Sequence, residues 1–145
     1  MMKTLAGGWL FWALLAAVFA AATAILAKVG VKDTPSDLAT LVRTLVVVAF
    51  AGLIVAVSGQ WRSFGDMSPR TLVFLTLSGL ATGASWLCYF RALKLGEASR
   101  VAPLDKLSVV LVAIMGVAFL GEQLSWKNWL GVALIAGGAV LVAIR

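Results

Sequence analysis

Residues Arg91–Leu120 read RALKLGEASRVAPLDKLSVVLVAIMGVAFL. The stretch opens as a charged loop and becomes an apolar run long enough to cross a bilayer. Pro103, Asp105 and Lys106 stand inside that run. A charged side chain at the centre of a membrane helix costs about 2.5–3.5 kcal/mol on insertion scales, so such residues mark a functional site by default. If the helix starts near Ser99, Asp105 lies about 9 Å along its axis. Pro103 then falls near the first turn, where proline is tolerated.

Working outward, the rest of the chain is the apolar scaffold for this segment. It has 145 residues, 62% hydrophobic and 12% charged, with a mean hydropathy of +1.04. Soluble domains are about 25% charged, so the composition predicts an all-α polytopic membrane protein. The net charge of +6 reads as basic residues flanking membrane spans rather than as a nucleic-acid footprint. The sequence has no His, and Cys88 is the single cysteine. An intrachain disulfide and a Cys-rich metal site are therefore excluded, and Cys88 reads as small buried filler. No phosphate loop, His-containing metal motif or nucleophile elbow is present, so neither a metal nor a cofactor is expected.

Five apolar runs appear, at about 5–27, 38–57, 71–90, 98–120 and 126–144. Each approaches the ~20 residues that cross a bilayer core. The first, with Lys3 ahead of it and Ala20–Ala22 inside it, also resembles a secretory signal. Its length and the spans after it favour a membrane helix. Trp9 and Trp12 suit an interfacial belt. Alanines four apart (Ala13, Ala17, Ala21) allow close helix approach, and Gly79 and Gly83 form a GxxxG packing face. Asp33–Asp37 reads as a turn leading into a helix. Ser68 reads as an N-cap followed by Pro69 in the first helical turn. Gly121 ends the fourth run and Ser125 caps the fifth.

Arg43 falls within the first two turns of the second run. It either snorkels to the headgroups or faces the bundle interior and pairs with an acid. Trp86 and Tyr89 are three apart and share a helix side; each either lines a cavity or sits in the belt. Five spans place Lys28, Lys32, Arg43, Arg91, Lys94, Arg100, Lys106 and Arg145 on one side. Lys3, Arg62, Arg70 and Lys127 fall on the other, and together these are all twelve basic residues. The positive-inside rule favours a cytoplasmic C-terminus. Without Arg43 and Lys106 the bias falls to six against four, which permits insertion in both orientations. Asp105 can pair across helices with Arg43 or Lys28, either as a structural lock or as part of a polar mouth with Arg91 at its rim. One acid against several bases would favour anionic or zwitterionic solutes.

The segments Ala22–Lys28, Leu38–Thr40 with Arg43, Trp86–Ser99, Val101–Ser108, Gly121-Glu122 and Gly131 with Gly137-Gly138 occur in an order and spacing that resembles the drug/metabolite transporter superfamily. The likeness is to its short five-span members with one EamA-type domain, and it covers nearly the whole chain. It implies a single domain over 1–145, half of a ten-helix transporter fold whose halves are mutually inverted. It also implies a prokaryotic cytoplasmic membrane, and a cavity that nominates Trp86, Tyr89, Pro103 and Asp105. Sites form at such repeat interfaces, so one copy calls for a second, most simply an antiparallel homodimer. The expected function is alternating-access transport of a small metabolite, not enzymatic turnover. The competing reading is a non-transporting scaffold or an accessory subunit of a larger complex.

Overall fold

The computed structural model describes residues 8–144. The expected start of the first span at Leu5, and Lys3 and Arg145 of the charge count, lie outside the described residues. Six α-helices follow one another: α1 Trp9–Val31, α2 Ser36–Val57, α3 Pro69–Leu95, α4 Ala98–Asp105, α5 Ser108–Leu120 and α6 Trp126–Ala143. A short 3-10 helix, Gln60–Phe64, lies between α2 and α3. The described residues contain no strand. Helices satisfy their own backbone polar groups, which hydrocarbon requires. Five segments are long and apolar enough to cross a membrane; α4 and α5 together form the fourth, Ala98–Leu120. The protein is thus an all-α polytopic membrane protein.

Local chemistry sets the helix ends. Ser68 accepts a hydrogen bond from Thr71 N at 3.1 Å and Pro69 is the first residue of α3. Ser125 caps α6 by accepting from Asn128 N at 3.3 Å, and its hydroxyl also meets the Asn128 side chain. Gly121 ends α5 with φ 69°, a left-handed conformation that costs other residues about 1–2 kcal/mol. α2 starts directly after Pro35 without a side-chain cap. Ala39 N donates to Pro35 O at 3.0 Å, and Asp37 places negative charge in the first turn, where the helix dipole favours it.

Two expectations are corrected. The charged stretch Arg91–Leu95 is the last part of α3, because Arg, Ala, Leu and Lys are strong helix formers. Cys88 is exposed, since it lies off the face carrying half-buried Trp86 and Tyr89 and buried Phe90 and Leu93. The Gly79–Gly83 face stays open within its own unit: among the described residues there, a Cβ on either glycine would meet no atom within 4 Å.

The chain divides into two compact units, 8–28 with 95–144, and 29–94. In the first, α6 packs on α4 and α5, and Lys28 donates to Gly96 O at 2.7 Å. In the second, α2 and α3 lie antiparallel, joined by contacts described below. Most large apolar side chains point outward, including Phe50, Phe74, Leu80 and Phe119. Exposed apolar area on this scale belongs against lipid or another membrane segment.

Candidate functional site

Arg43 stands seven residues into α2, about 10 Å along the helix. Its guanidinium carbon lies 4.0 Å from the Trp86 ring centroid and 5.5 Å from that of Phe90. Trp86 and Phe90 are four apart, so α3 presents both from one face. Tyr89, half-buried beside Phe90 on α3, comes within reach of Arg43. Among the described residues of its own unit, no carboxylate lies within ion-pair distance of Arg43. Aromatic faces hold the cation here. A guanidinium over an aromatic ring gains about 0.5–2 kcal/mol, most when desolvated, and no second charge has to leave water.

Two further contacts lead outward along the same helix pair. Arg91 Nη2 donates to both carboxylate oxygens of Asp37, at 3.1 and 3.3 Å. Lys94 Nζ donates to Thr34 O at 2.9 Å. The contacts Arg43–Trp86, Asp37–Arg91 and Thr34–Lys94 advance along α3 as they retreat along α2 and its leading turn, which is the order of antiparallel helices. Asp37 and Arg91 are well exposed, so their pair contributes at most about 1 kcal/mol. Thr40 is buried, and its hydroxyl donates to Ser36 O at 2.8 Å. Thr44 does the same to Thr40 O at 2.7 Å. Both hydroxyls keep acceptor lone pairs.

Pro103, Asp105 and Lys106 belong to the other unit and mark a break in the fourth span. α4 ends at Asp105 and α5 begins at Ser108. The residues between are tied by short-range bonds: Lys106 N to Pro103 O, Leu107 N to Leu104 O, Val109 N to Lys106 O and Val110 N to Leu107 O, all 3.0 Å. This is 3-10 spacing, which in mid-helix marks a hinge or strain. Asp105 and Lys106 form an ion pair at 3.1 Å. This pair joins chain neighbours, outside the expected cross-helix partners Arg43 and Lys28. Pro103 and Asp105 are half-buried, and Lys106 is exposed.

The structure thus brings Arg43, Trp86 and Tyr89 together and sets Arg91 at their outer edge. Asp37, Thr40 and Phe90 are the additions that sequence reading missed. Phe90 had a signal, its four-residue spacing from Trp86. Asp37 had none, because its partner is 54 residues away. Among the described residues, no group of three His, Cys, Asp or Glu side chains can hold a metal ion.

The sequence profile of the EamA-like transporter family matches residues 7–144. The chain belongs to the EamA-like transporter family. This places it in the drug/metabolite transporter superfamily, as a multi-pass membrane protein whose helices meet lipid. An uncharacterised transporter of Sinorhizobium is 64% identical over 136 residues, covering 94% of this chain and 96% of the relative. The uncharacterised transporter YxxF of Bacillus subtilis is 25% identical over 99% of this chain, which spans 45% of that protein's length. A probable 4-amino-4-deoxy-L-arabinose-phosphoundecaprenol flippase subunit, ArnE of Aeromonas hydrophila, is 35% identical over 59% of this chain and 75% of its own. No solved structure is significantly similar to this EamA-family chain.

Proposed function

We propose that this EamA-family chain is a secondary transporter of a small anionic or zwitterionic metabolite, without enzymatic turnover. In this reading it works by alternating access as a homodimer in a prokaryotic cytoplasmic membrane. The observation that carries it is the Arg43–Trp86 contact: a permanent cation in a spanning helix, with its guanidinium carbon 4.0 Å from an aromatic ring centroid. A cation–π contact uses the charge of a guanidinium without consuming its five N–H donors, which match a carboxylate or phosphate bidentately. Trp86, Tyr89 and Arg91 form the pathway beside Arg43. In the fourth span Pro103, Asp105 and Lys106 supply a hinge and a polar step.

The second copy is supported by two facts. Among the described residues of its own unit, nothing covers the Gly79–Gly83 face of α3, which leaves it open to a partner helix. YxxF is about twice the chain's length, whereas the Sinorhizobium relative is matched over 96% of its own. Short and double-length members fit a ten-helix machine built from two five-span domains, here residues 1–145 and a second copy. An antiparallel arrangement is compatible with the small charge bias. The word subunit in the name of ArnE favours a second reading, in which the partner is a different chain.

The test uses purified protein in liposomes loaded with a small-molecule extract of prokaryotic cells. Release of a defined solute faster than from protein-free liposomes is expected. If no solute in the extract is released faster, transport by this chain alone is refuted and the accessory-subunit reading gains.

A further inference from the structure

The turn between α5 and α6 holds a carboxylate that the proposed solute site does not use. Beyond Gly121 the chain folds back, and Glu122 N donates to Gly116 O at 3.1 Å. The Glu122 side chain then lies along the last turns of α5. Its Oε2 is 2.6 Å from where a Cβ on Gly116 would stand, and Gly116 is buried. Glycine at 116 is what admits the carboxylate.

The place is electrostatically poor for an anion. The C-terminal end of a helix carries partial negative charge. Among the described residues of its unit, no Lys or Arg lies within ion-pair distance of Glu122. Beside it, Val112, Met115, Gly116, Phe119 and Leu120 complete an open groove of about 340 Å³. The groove starts at the end of a span, where headgroups lie. It follows α5 from Leu120 back to Val112, about 12 Å toward the membrane interior.

We infer that Glu122 and the α5 groove bind an aminophospholipid, with its primary ammonium on the carboxylate and an acyl chain along Val112, Met115 and Phe119. The carboxylate calls for a cation, and an N–H donor gives a charge-assisted hydrogen bond that a quaternary ammonium cannot. The groove calls for hydrocarbon running along the membrane normal from that cation. A phospholipid carries both features in this register, whereas a free amine lacks the tail.

The test places full-length protein in nanodiscs of equal phosphatidylethanolamine, phosphatidylcholine and phosphatidylglycerol. Lipids retained after mild detergent extraction are then counted by mass spectrometry. We expect phosphatidylethanolamine to be enriched about fivefold over phosphatidylcholine, the ratio given by roughly 1 kcal/mol. Glu122→Gln should bring the ratio to parity. Gly116→Ala should do the same while keeping the charge, because its Cβ displaces only the flexible end of Glu122. No enrichment in the wild type, or enrichment that survives either variant, overturns the proposal. Disulfide-linked pairs of Met115→Cys chains in a Cys88→Ser background would show a second copy on the groove and also overturn it.

Discussion

Removing the ring beneath Arg43 tests how this chain keeps a charge in a membrane helix. The guanidinium carbon is 4.0 Å from the Trp86 centroid and 5.5 Å from that of Phe90. Charge–quadrupole attraction falls as about the inverse cube of distance, so Phe90 supplies roughly 0.4 of what Trp86 does. Arg43 is half-buried in an apolar span, which puts the Trp86 contact at about 1–2 kcal/mol. Trp86→Leu alone mixes this with lost packing. A double-mutant cycle with Arg43→Gln isolates it. The assay is reversible unfolding in bicelles by steric trapping. The expected coupling is about 1–2 kcal/mol for Arg43–Trp86 and roughly 0.4 of that for Arg43–Phe90. A Trp86 coupling below about 0.3 kcal/mol, the noise of additive sites, would mean that Arg43 reaches the headgroups. A larger coupling for Phe90 would refute the contact as described.

Further outcomes follow from the same structure. Gly121→Ala forces a Cβ into a left-handed position and should cost about 1–2 kcal/mol in the same unfolding assay; an unchanged stability would contradict the helix stop. Asp37→Asn should cost less than about 1 kcal/mol, and the loss should shrink in high salt because the pair is exposed. A loss that salt leaves unchanged would show the pair buried in the assembly. C-terminal reporters active only inside or only outside the cell should both report for an antiparallel homodimer. Signal from one alone excludes that arrangement and leaves a parallel pair or a different partner chain.

The spans were legible because hydrocarbon imposes length and composition together. The caps at Ser68, Gly121 and Ser125 were legible because they are local chemistry. Arg91 and Lys94 hid the last part of α3: a hydropathy reading ends where charge begins, while helix propensity does not. Pro103 gave a signal for the fourth span, but it pointed to a tolerated first-turn proline, not to the 3-10 break after Asp105. Arg43 stands out in the sequence as a charge in a span, but neither reading of it, headgroup snorkelling or pairing with an acid, names an aromatic partner. Burying a second charge carries its own desolvation cost, which an aromatic face avoids. The Asp37–Arg91 contact is tertiary and has no local trace.

The most direct test of the central claim compares release of one transported solute by wild-type, Arg43→Lys and Arg43→Gln proteins at matched abundance in liposomes. Losing a charge-assisted hydrogen bond costs about 1.5–3 kcal/mol, so Arg43→Gln should lower flux about tenfold or more. Arg43→Lys keeps the charge without the planar fork and should fall between. Equal flux from all three proteins would contradict the account, leaving Arg43 as a structural cation and the solute site elsewhere.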